Sequence, residues 1–313
     1  MDEVRCIAQS EVMSLLSPDD VLDAVERALC QLSNGEASVP PRVGAFIPDG
    51  LIGVMPGNLA GAPACVKLVS VFPGNRAHDR PTHQAIIVVF HPATGTPQAV
   101  MDGTAITTLR TAATSAVATR ALLPGQCRVL AILGAGVQGR AHLDALSRIH
   151  PFEEIRVASR SRDHAESLAA AHPAVRLVAT FEETVRGTHV VCCCTSAAKP
   201  ILEHSWLEAG VHVSSIGTGR EVDADTVAAA NVFVEWRGAV TSPPPAGAVE
   251  PQGLDPKQVS EIGEVLGGVT AGRRSADEIT LFKSTGHAVE DIATAALVHE
   301  RAVAADVGTR VRL

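Results

Sequence analysis

The sequence predicts an α/β chain of two domains, an α+β unit followed by a parallel-sheet unit, and three observations carry that prediction. The first is size: 313 residues, 46% of them hydrophobic, suffice for two cores of ordinary dimensions. The second is the texture from about residue 43 to 101. There, short β-rich runs (Leu51 to Met55, Ala64 to Phe72, Ala85 to Phe90, Pro97 to Met101) are separated by Gly, Pro and Asn, the mark of an antiparallel meander. The third is a β-α-β-α alternation from residue 128 onward, whose near-continuous apolar strands need cover on both faces.

Taken in order, the first helix follows Ser17, which can cap it, and Pro18, which suits a first turn. Val21, Leu22, Val25, Ala28, Leu29 and Leu32 then make one apolar face at helical spacing. His91-Pro92-Ala93-Thr94-Gly95 reads as a hairpin turn. An alanine-rich helix runs from Thr107 to Leu123 and stops at Pro124-Gly125. Strands over Arg128 to Leu133, Glu154 to Ala158, Arg176 to Val178, His189 to Cys194, Val211 to Ile216 and Val232 to Val234 follow. Helices over Val137 to Ile149, Asp163 to Ala171 and Phe181 to Arg186 alternate with the first four. Pro243-Pro244-Pro245 and the Gly-rich stretch to about 273 read as loop. A last helix, from about Ala288 to Ala304, is free to return to the first domain.

Composition excludes several classes of function. Charged residues are 19% of the chain, the net charge is -8, and the basic residues form no stripe, so neither nucleic acid nor an anionic membrane is an expected partner. No run of about 18 apolar residues spans a bilayer. Met1-Asp2-Glu3-Val4-Arg5 is unlike a secretory signal, and a cytoplasmic location is expected. Of seven cysteines, Cys192, Cys193 and Cys194 are consecutive; neighbours on a strand face opposite ways, so the three cannot converge on one tetrahedral ion. No CxxC pair occurs, and the expectation is small buried hydrophobes with no metal site. Tyrosine is absent, which excludes it as a general acid.

One motif carries chemistry on its own. The run Arg128 to Leu133 leads into Gly134-Ala135-Gly136-Val137-Gln138-Gly139 and then a helix, the strand–turn–helix context that a GxGxxG needs. Gly134 permits the tight turn, Gly136 lets a pyrophosphate approach the backbone, and Gly139 lets the helix pack on the sheet. The first-turn N–H groups at Val137 and Gln138 face the phosphates. This is a Rossmann dinucleotide-binding domain. At the end of the next strand stands Ala158-Ser159-Arg160-Ser161, with no carboxylate to hold a ribose 2′-hydroxyl or repel a 2′-phosphate. Arg160 suits a 2′-phosphate through its guanidinium fork, and Ser159 and Ser161 can donate to it. NADP(H) is therefore expected in preference to NAD(H). NAD(H) stays open if Arg160 only stacks on the adenine.

Three cations upstream also stand out. Lys67 lies in an otherwise apolar strand, where an unpaired ammonium is costly; it is either paired internally or kept for an anionic ligand. Arg110 sits in an alanine-rich helix with little charge nearby, and Arg42 follows two prolines that fix its backbone. Together they can converge on one small anion, for which a carboxylate is the best fit to a guanidinium.

Val39-Pro40-Pro41-Arg42, Cys65-Val66-Lys67-Leu68-Val69-Ser70, Phe72-Pro73-Gly74-Asn75, Asp102-Gly103-Thr104-Ala105-Ile106-Thr107, Leu109-Arg110-Thr111-Ala112, the glycine turn and Phe282-Lys283-Ser284-Thr285-Gly286-His287-Ala288-Val289-Glu290-Asp291 closely resemble the ornithine cyclodeaminase/mu-crystallin family, in the family's order. The resemblance covers nearly the whole chain. It implies that Arg42, Lys67 and Arg110 grip a substrate carboxylate, with Lys67 also assisting proton transfer near an imine nitrogen. His83 and Gln84 resemble a pair near the substrate, though His83 reads equally well as structural. Thr111, Ser115, Thr195 and Ser196 are candidates to meet the cofactor, and the likeness brings Ser284 and Gly286 to the nicotinamide, with Asp291 an anchor for that loop.

The domains implied are 1–112 with 288–313 for substrate binding and homodimerisation, and 113–287 for the dinucleotide. One departure matters. Cyclodeaminating relatives carry a catalytic aspartate after the strand Val211 to Ile216, whereas Gly217-Thr218-Gly219-Arg220-Glu221-Val222-Asp223 is shorter and offers only Glu221 or Asp223. The expected activity is therefore NAD(P)H-dependent reduction of small cyclic imino acids, Δ1-pyrroline-2-carboxylate or Δ1-piperideine-2-carboxylate, to proline or pipecolate, an activity of proline metabolism. Ornithine or lysine cyclodeamination, alanine-type dehydrogenation and a non-catalytic NADPH-binding role are the alternatives.

Overall fold

The computed structural model describes residues 3–125, 127–217 and 219–312, the side chain of Arg76 excepted. Met1, Asp2 and Leu313, and Thr218 in the shortened loop, lie outside the described residues. In chain order the elements are β1 (Glu3–Ile7), α1 (Gln9–Leu15), α2 (Pro18–Ser33), β2 (Ala37–Ser38), β3 (Val43–Ile47), β4 (Gly50–Leu59), β5 (Ala64–Val71), β6 (His83–Phe90), β7 (Pro97–Asp102) and α3 (Gly103–Leu122). There follow β8 (Val129–Leu133), α4 (Val137–Ile149), β9 (Glu154–Ala158), α5 (Arg162–Ala169), β10 (Val175–Leu177), α6 (Phe181–Val185), β11 (Val190–Cys193), β12 (His212–Ile216), α7 (Ala224–Ala229) and β13 (Asn231–Val234). The last are β14 (Ser260–Glu261), α8 (Ile262–Leu266), β15 (Thr280–Ser284), α9 (Ala288–Ala304) and β16 (Thr309–Arg312). They form two compact units, one comprising the chain up to Arg110 together with the stretch from His287 onward, the other Thr111–Gly286.

The first unit is α+β. Its sheet runs β16-β1-β7-β6-β5-β4-β2, with β3 also on β4. From β3 to β7 the pairing is an antiparallel meander, as the spacing of short runs predicts. Gly95, at φ 69°, closes the β6–β7 hairpin by donating its N–H to the His91 carbonyl at 2.9 Å. Among the strands that were not predicted, β1 pairs in parallel with β7, and β16 pairs antiparallel with β1. Both are short and mix polar with apolar residues, so long-range pairing makes them strands where local pattern does not. Helix α2 has Pro18 at its first turn, but the Ser17 side chain accepts no capping hydrogen bond, contrary to expectation.

The two faces of this sheet differ. Met55, Lys67, Ile87 and Met101 lie in register across β4 to β7 and are all buried. Helix α9 covers that face over β4 and β5 and packs on α2. The opposite pleat carries Val43, Val54, Leu68 and Ile86 in one row across β3 to β6, each between 36% and 67% exposed.

The second unit is the parallel sheet, ordered β10-β9-β8-β11-β12-β15-β13-β14 with every neighbouring pair parallel. The chain builds β8, β9 and β10 outward on one side and then starts β11 on the other side of β8. The carboxyl ends of β8 and β11 therefore flank a topological switch point, where open α/β sheets take their ligands. Its core is Leu133, Val191, Cys193, Val213, Leu281 and their neighbours, with Trp206 and Trp236 half-buried against it. Strand β15 lies in the stretch that the sequence left unassigned. All five of its residues are buried, Lys283 included, and it inserts between β12 and β13. A central lysine and a partner strand far away in sequence hide such a strand from periodicity. The short β14 and α8 likewise interrupt the stretch read as loop.

Candidate functional site

In the first unit the strand pleat turns Cys65, Lys67 and Val69 inward and leaves Leu68 outside. Lys67 thus occupies a core position, 2% exposed, where its charge must be met internally. It is met from far along the chain. The Lys67 Nζ donates to Asp291 Oδ1 at 2.9 Å, and the same oxygen accepts from Arg110 Nε at 2.9 Å. Arg110 Nη1 donates to Glu290 Oε2 at 2.6 Å. Glu290 and Asp291 are both buried in the first turn of α9, the end of a helix that favours negative charge. The second Glu290 oxygen accepts the His287 backbone N–H at 3.0 Å, so one carboxylate both starts the helix and steers the arginine.

Arg42 is half-buried and lies close enough to Lys67, His83 and His287 to act on their titration. Burial, with Arg110 and Arg42 nearby, lowers the Lys67 pKa to about 8 despite the pull of Asp291. Burial, then Lys67 and Arg110, takes His83 down to about 4; burial, then Arg42 and Arg110, does the same to His287. Burial opposes ionisation of Asp291, yet Arg110 and Lys67 outweigh it and hold the carboxyl below its usual value. Near neutrality the cluster therefore holds three cations, two carboxylates and two uncharged imidazoles.

Of the residues expected here, Lys67 and Arg110 share one oxygen, His83 lies within electrostatic reach of both, and Arg42 within reach of Lys67 and His83. His83 follows the inward pleat, being paired with Val71, while Gln84 takes the opposite, exposed pleat; the expected His-Gln pair is split between faces. Asp291 anchors the two cations directly. Sequence reasoning missed Glu290 and His287, although an acidic pair opening the last helix is the natural complement to a lysine in a buried strand.

In the second unit the glycine turn has the geometry its motif demands. Gly134 has φ 106°, and a Cβ there would lie 2.8 Å from the Cys194 carbonyl oxygen and 2.9 Å from Thr195 Cγ2. A Cβ on Gly139 would collide with the Gly134 carbonyl oxygen, whereas one on Gly136 would meet nothing within 4 Å. Open space therefore lies over Gly136, at the cap of α4, whose first-turn N–H groups at Val137, Gln138 and Gly139 lack helical acceptors. A dinucleotide pyrophosphate fits that cradle.

At the end of β9, Arg160 is exposed, Ser159 Oγ accepts the Ser161 N–H at 3.3 Å, and Ser161 Oγ caps α5 by accepting from His164 N–H at 3.4 Å. The hydroxyl hydrogens of both serines stay available to a phosphate. Thr111 is buried on α3. Ser115 bonds the His142 ring at 3.0 Å, which favours its packing role over the cofactor role considered for it. Ser196 is exposed after β11.

Two buried glutamates hold the neighbouring loops. Glu221 accepts from Thr195 N–H at 2.6 Å, Thr195 Oγ at 2.8 Å, Ser215 Oγ at 2.9 Å and Ile216 N–H at 2.9 Å. Burial raises its carboxyl pKa in spite of Lys283. Asp223 caps α7, accepting from Thr226 N–H at 2.9 Å and from His204 N–H at 3.1 Å. Both carboxylates considered as substitutes for the family aspartate are thus committed to the backbone around them. Glu235, which the sequence did not single out, accepts from Ser284 Oγ at 2.6 Å, Thr285 N–H at 3.0 Å and Gly286 N–H at 2.9 Å. The Ser284 hydroxyl is therefore turned to a carboxylate inside the unit, and Gly286, at φ 76°, makes the turn into α9.

Comparison with known proteins agrees over the full length. The family model described as the ornithine cyclodeaminase/mu-crystallin family matches residues 3–306. The ketimine reductase mu-crystallin of Rattus norvegicus is 36% identical over 310 residues, 96% of this chain and 95% of that protein. The alanine dehydrogenase of Archaeoglobus fulgidus is 32% identical over 99% of this chain and 98% of its own. Among solved structures, the Thermococcus litoralis Δ1-pyrroline-2-carboxylate reductase in complex with NADH and L-proline superposes with a TM-score of 0.91. It has 32% identity over 98% of this chain and 100% of that one.

Proposed function

The chain belongs to the ornithine cyclodeaminase/mu-crystallin family, and from that premise we propose that it is an NAD(P)H-dependent reductase of small cyclic imino acids, acting on Δ1-pyrroline-2-carboxylate or Δ1-piperideine-2-carboxylate. The observation that carries the proposal is the buried cluster in the first unit. Arg42, Lys67 and Arg110 bring three positive charges, Glu290 and Asp291 return two, and both histidines are neutral, which leaves one unit of positive charge for one carboxylate. Arg110 offers its guanidinium from a side chain already fixed by two carboxylates, so little ordering remains to be done when substrate arrives.

Lys67 is the proton donor of the reaction. Its pKa of about 8 keeps it charged at neutrality yet able to release a proton to the imine nitrogen. Gly134, Gly136, Val137, Gln138 and Gly139 would hold the dinucleotide phosphates, and Thr111, Thr195 and Ser196 would line its passage. Ser284 and Gly286, fixed by Glu235, would hold the turn that meets the nicotinamide ring. The bound cofactor supplies the hydride that the imine carbon accepts. With a hydride from the bound dinucleotide to the imine carbon, Lys67 would supply the proton to the imine nitrogen, so that C=N would become CH–NH and the product would be the saturated amino acid. The commitment of Glu221 and Asp223 to their own loops supports imine reduction over cyclodeamination, which needs a further acid or base.

NADP(H) is the preferred dinucleotide, NAD(H) the weaker one, on the strength of Ser159, exposed Arg160 and Ser161 in place of a carboxylate. The protein works as a homodimer joined through the exposed apolar row Val43, Val54, Leu68 and Ile86, a patch that a monomer has reason to cover. A reducing compartment such as the cytoplasm suits its seven free thiols. Purified protein is expected to consume NADPH with both cyclic imines and to yield proline or pipecolate. Inertness toward every cyclic ketimine tried, at several pH values and with either cofactor, would overturn the proposal.

A further inference from the structure

Three consecutive cysteines cannot converge, but the pleat that separates neighbours brings alternate ones together. Cys192 at the end of β11 and Cys194 just beyond it face the same way, with their Sγ atoms 3.6 Å apart, while Cys193 takes the opposite face. Facing them is His142, one turn into α4. One ring nitrogen of His142 and the two sulfurs all lie within 4.8 Å of one another. Cys192 and His142 are buried, and Cys194 as a whole residue is half-buried.

The chemistry of this trio is that of a ligand set. His142 Nδ1 lies 2.7 Å from the Gln138 carbonyl oxygen, which only accepts, so Nδ1 carries the hydrogen and Nε2 presents the lone pair. A ring nitrogen that donates to a backbone carbonyl while the other holds a metal is the usual outer-shell arrangement of metal-bound histidine. At present Nε2 meets the Ser115 hydroxyl at 3.0 Å, a group that can rotate away or remain beside an incoming ion. Two thiolates bound at 2.3 Å to a tetrahedral ion stand about 3.8 Å apart, close to the separation found here. A divalent cation with two thiolates and one neutral imidazole also makes a neutral group, which suits a buried setting.

We propose that His142, Cys192 and Cys194 form a binding site for a soft divalent d10 cation of the zinc class, beside the dinucleotide cradle. Binding forms two metal–sulfur bonds and one metal–nitrogen bond, and the two thiol protons leave to solvent. The site shares backbone with the glycine turn, since the Cys194 carbonyl oxygen is the atom 2.8 Å from a Cβ placed on Gly134. A cation here would pin α4 and the end of β11 on either side of that turn.

The probe is cadmium, added to the chelator-stripped full-length protein and followed by ultraviolet thiolate-to-cadmium charge-transfer absorption. One equivalent per chain is expected to saturate the band in the wild type and in Cys193→Ala. The band should vanish in a Cys192→Ser/Cys194→Ser double variant, and the apparent Kd should rise at least tenfold in His142→Gln. Far-ultraviolet ellipticity confirms that each variant is folded. Independently of any variant, one equivalent of cadmium should shield Cys192 and Cys194 of the wild-type protein from iodoacetamide, as mapped by mass spectrometry. A band of equal size in the double variant, the lack of a saturable band in the wild type, or unchanged alkylation of both cysteines would overturn the proposal.

Discussion

Replacing Asp291 with Asn tests the energetic and chemical logic of the substrate cluster at once. One Asp291 oxygen accepts from Lys67 and from Arg110, each at 2.9 Å, and all three side chains are 5% exposed or less. Asn keeps the shape and an acceptor oxygen but removes the charge, leaving two buried cations with Glu290 alone between them. Removing one member of a buried pair costs about 3–5 kcal/mol, because the remaining charge is left uncompensated. Against a total of about 5–15 kcal/mol for a folded domain, that is a large fraction. At roughly 3 °C per kcal/mol for a domain of this size, the first unit should melt about 10–15 °C earlier.

A second consequence has the opposite sign for ligand. Asp291 raises the pKa of Lys67 against burial, so its loss should move the alkaline limb of the pH–rate profile below about 8. A small carboxylate such as L-proline then meets two cations with one counter-charge fewer. Proline should therefore raise the melting temperature of Asp291→Asn more than that of the wild type. Calorimetry with and without proline, together with the pH profile, reads all three effects. If the variant melts within about 2 °C of wild type and its alkaline limb stays in place, the cluster does not work as described.

In the wild-type enzyme, a proton donor with a pKa of about 8 is mostly charged at neutrality and half charged near 8, so the reductive rate should hold through neutrality and fall above about 8. The oxidative direction needs the neutral amine and should rise through the same range; profiles in both directions from one preparation decide this. Gly139→Ala places a methyl group against the Gly134 carbonyl oxygen and should abolish dinucleotide binding in isothermal titration while leaving most helical ellipticity. Arg160→Ala removes a charged fork from the end of β9 and should lower kcat/KM for NADPH by about 10–100-fold while leaving NADH within about threefold, as charge-assisted hydrogen bonds allow. Leu68→Glu, at a position 36% exposed within the apolar row, should shift the protein toward monomer in sedimentation; an unchanged dimer would place the interface elsewhere.

Much of this architecture was legible before any coordinates, and what was hidden has a common cause. Helices α4 and α9 are foretold to the residue by their spacing, and the meander from β4 to β7 by its punctuation, because these signals are local. Strands β1, β15 and β16 were not legible, since each becomes a strand only through partners far away in sequence. The same division runs through the site. Lys67 betrayed itself as a charge inside an apolar run, and the glycine turn by its position between strand and helix. That one oxygen of Asp291 would serve both Lys67 and Arg110, or that Glu235 would hold Ser284 and Gly286, depends on three-dimensional convergence that no spacing encodes. In the cysteine run the three do diverge as the pleat requires, and what the spacing did not show is that Cys192 and Cys194 share a face with His142.

The placement of the two tryptophans gives the protein a built-in optical label. Trp206 and Trp236 both lie against the core of the parallel-sheet unit, and the chain has no tyrosine. Emission excited in the indole band therefore reports on that unit alone, while the substrate-cluster unit is spectrally dark. A fluorescence melt set beside an ellipticity melt of the same sample would separate the unfolding of the two halves without any engineered reporter. Reduced nicotinamide absorbs where indole emits, so the same two side chains would also register each dinucleotide that docks.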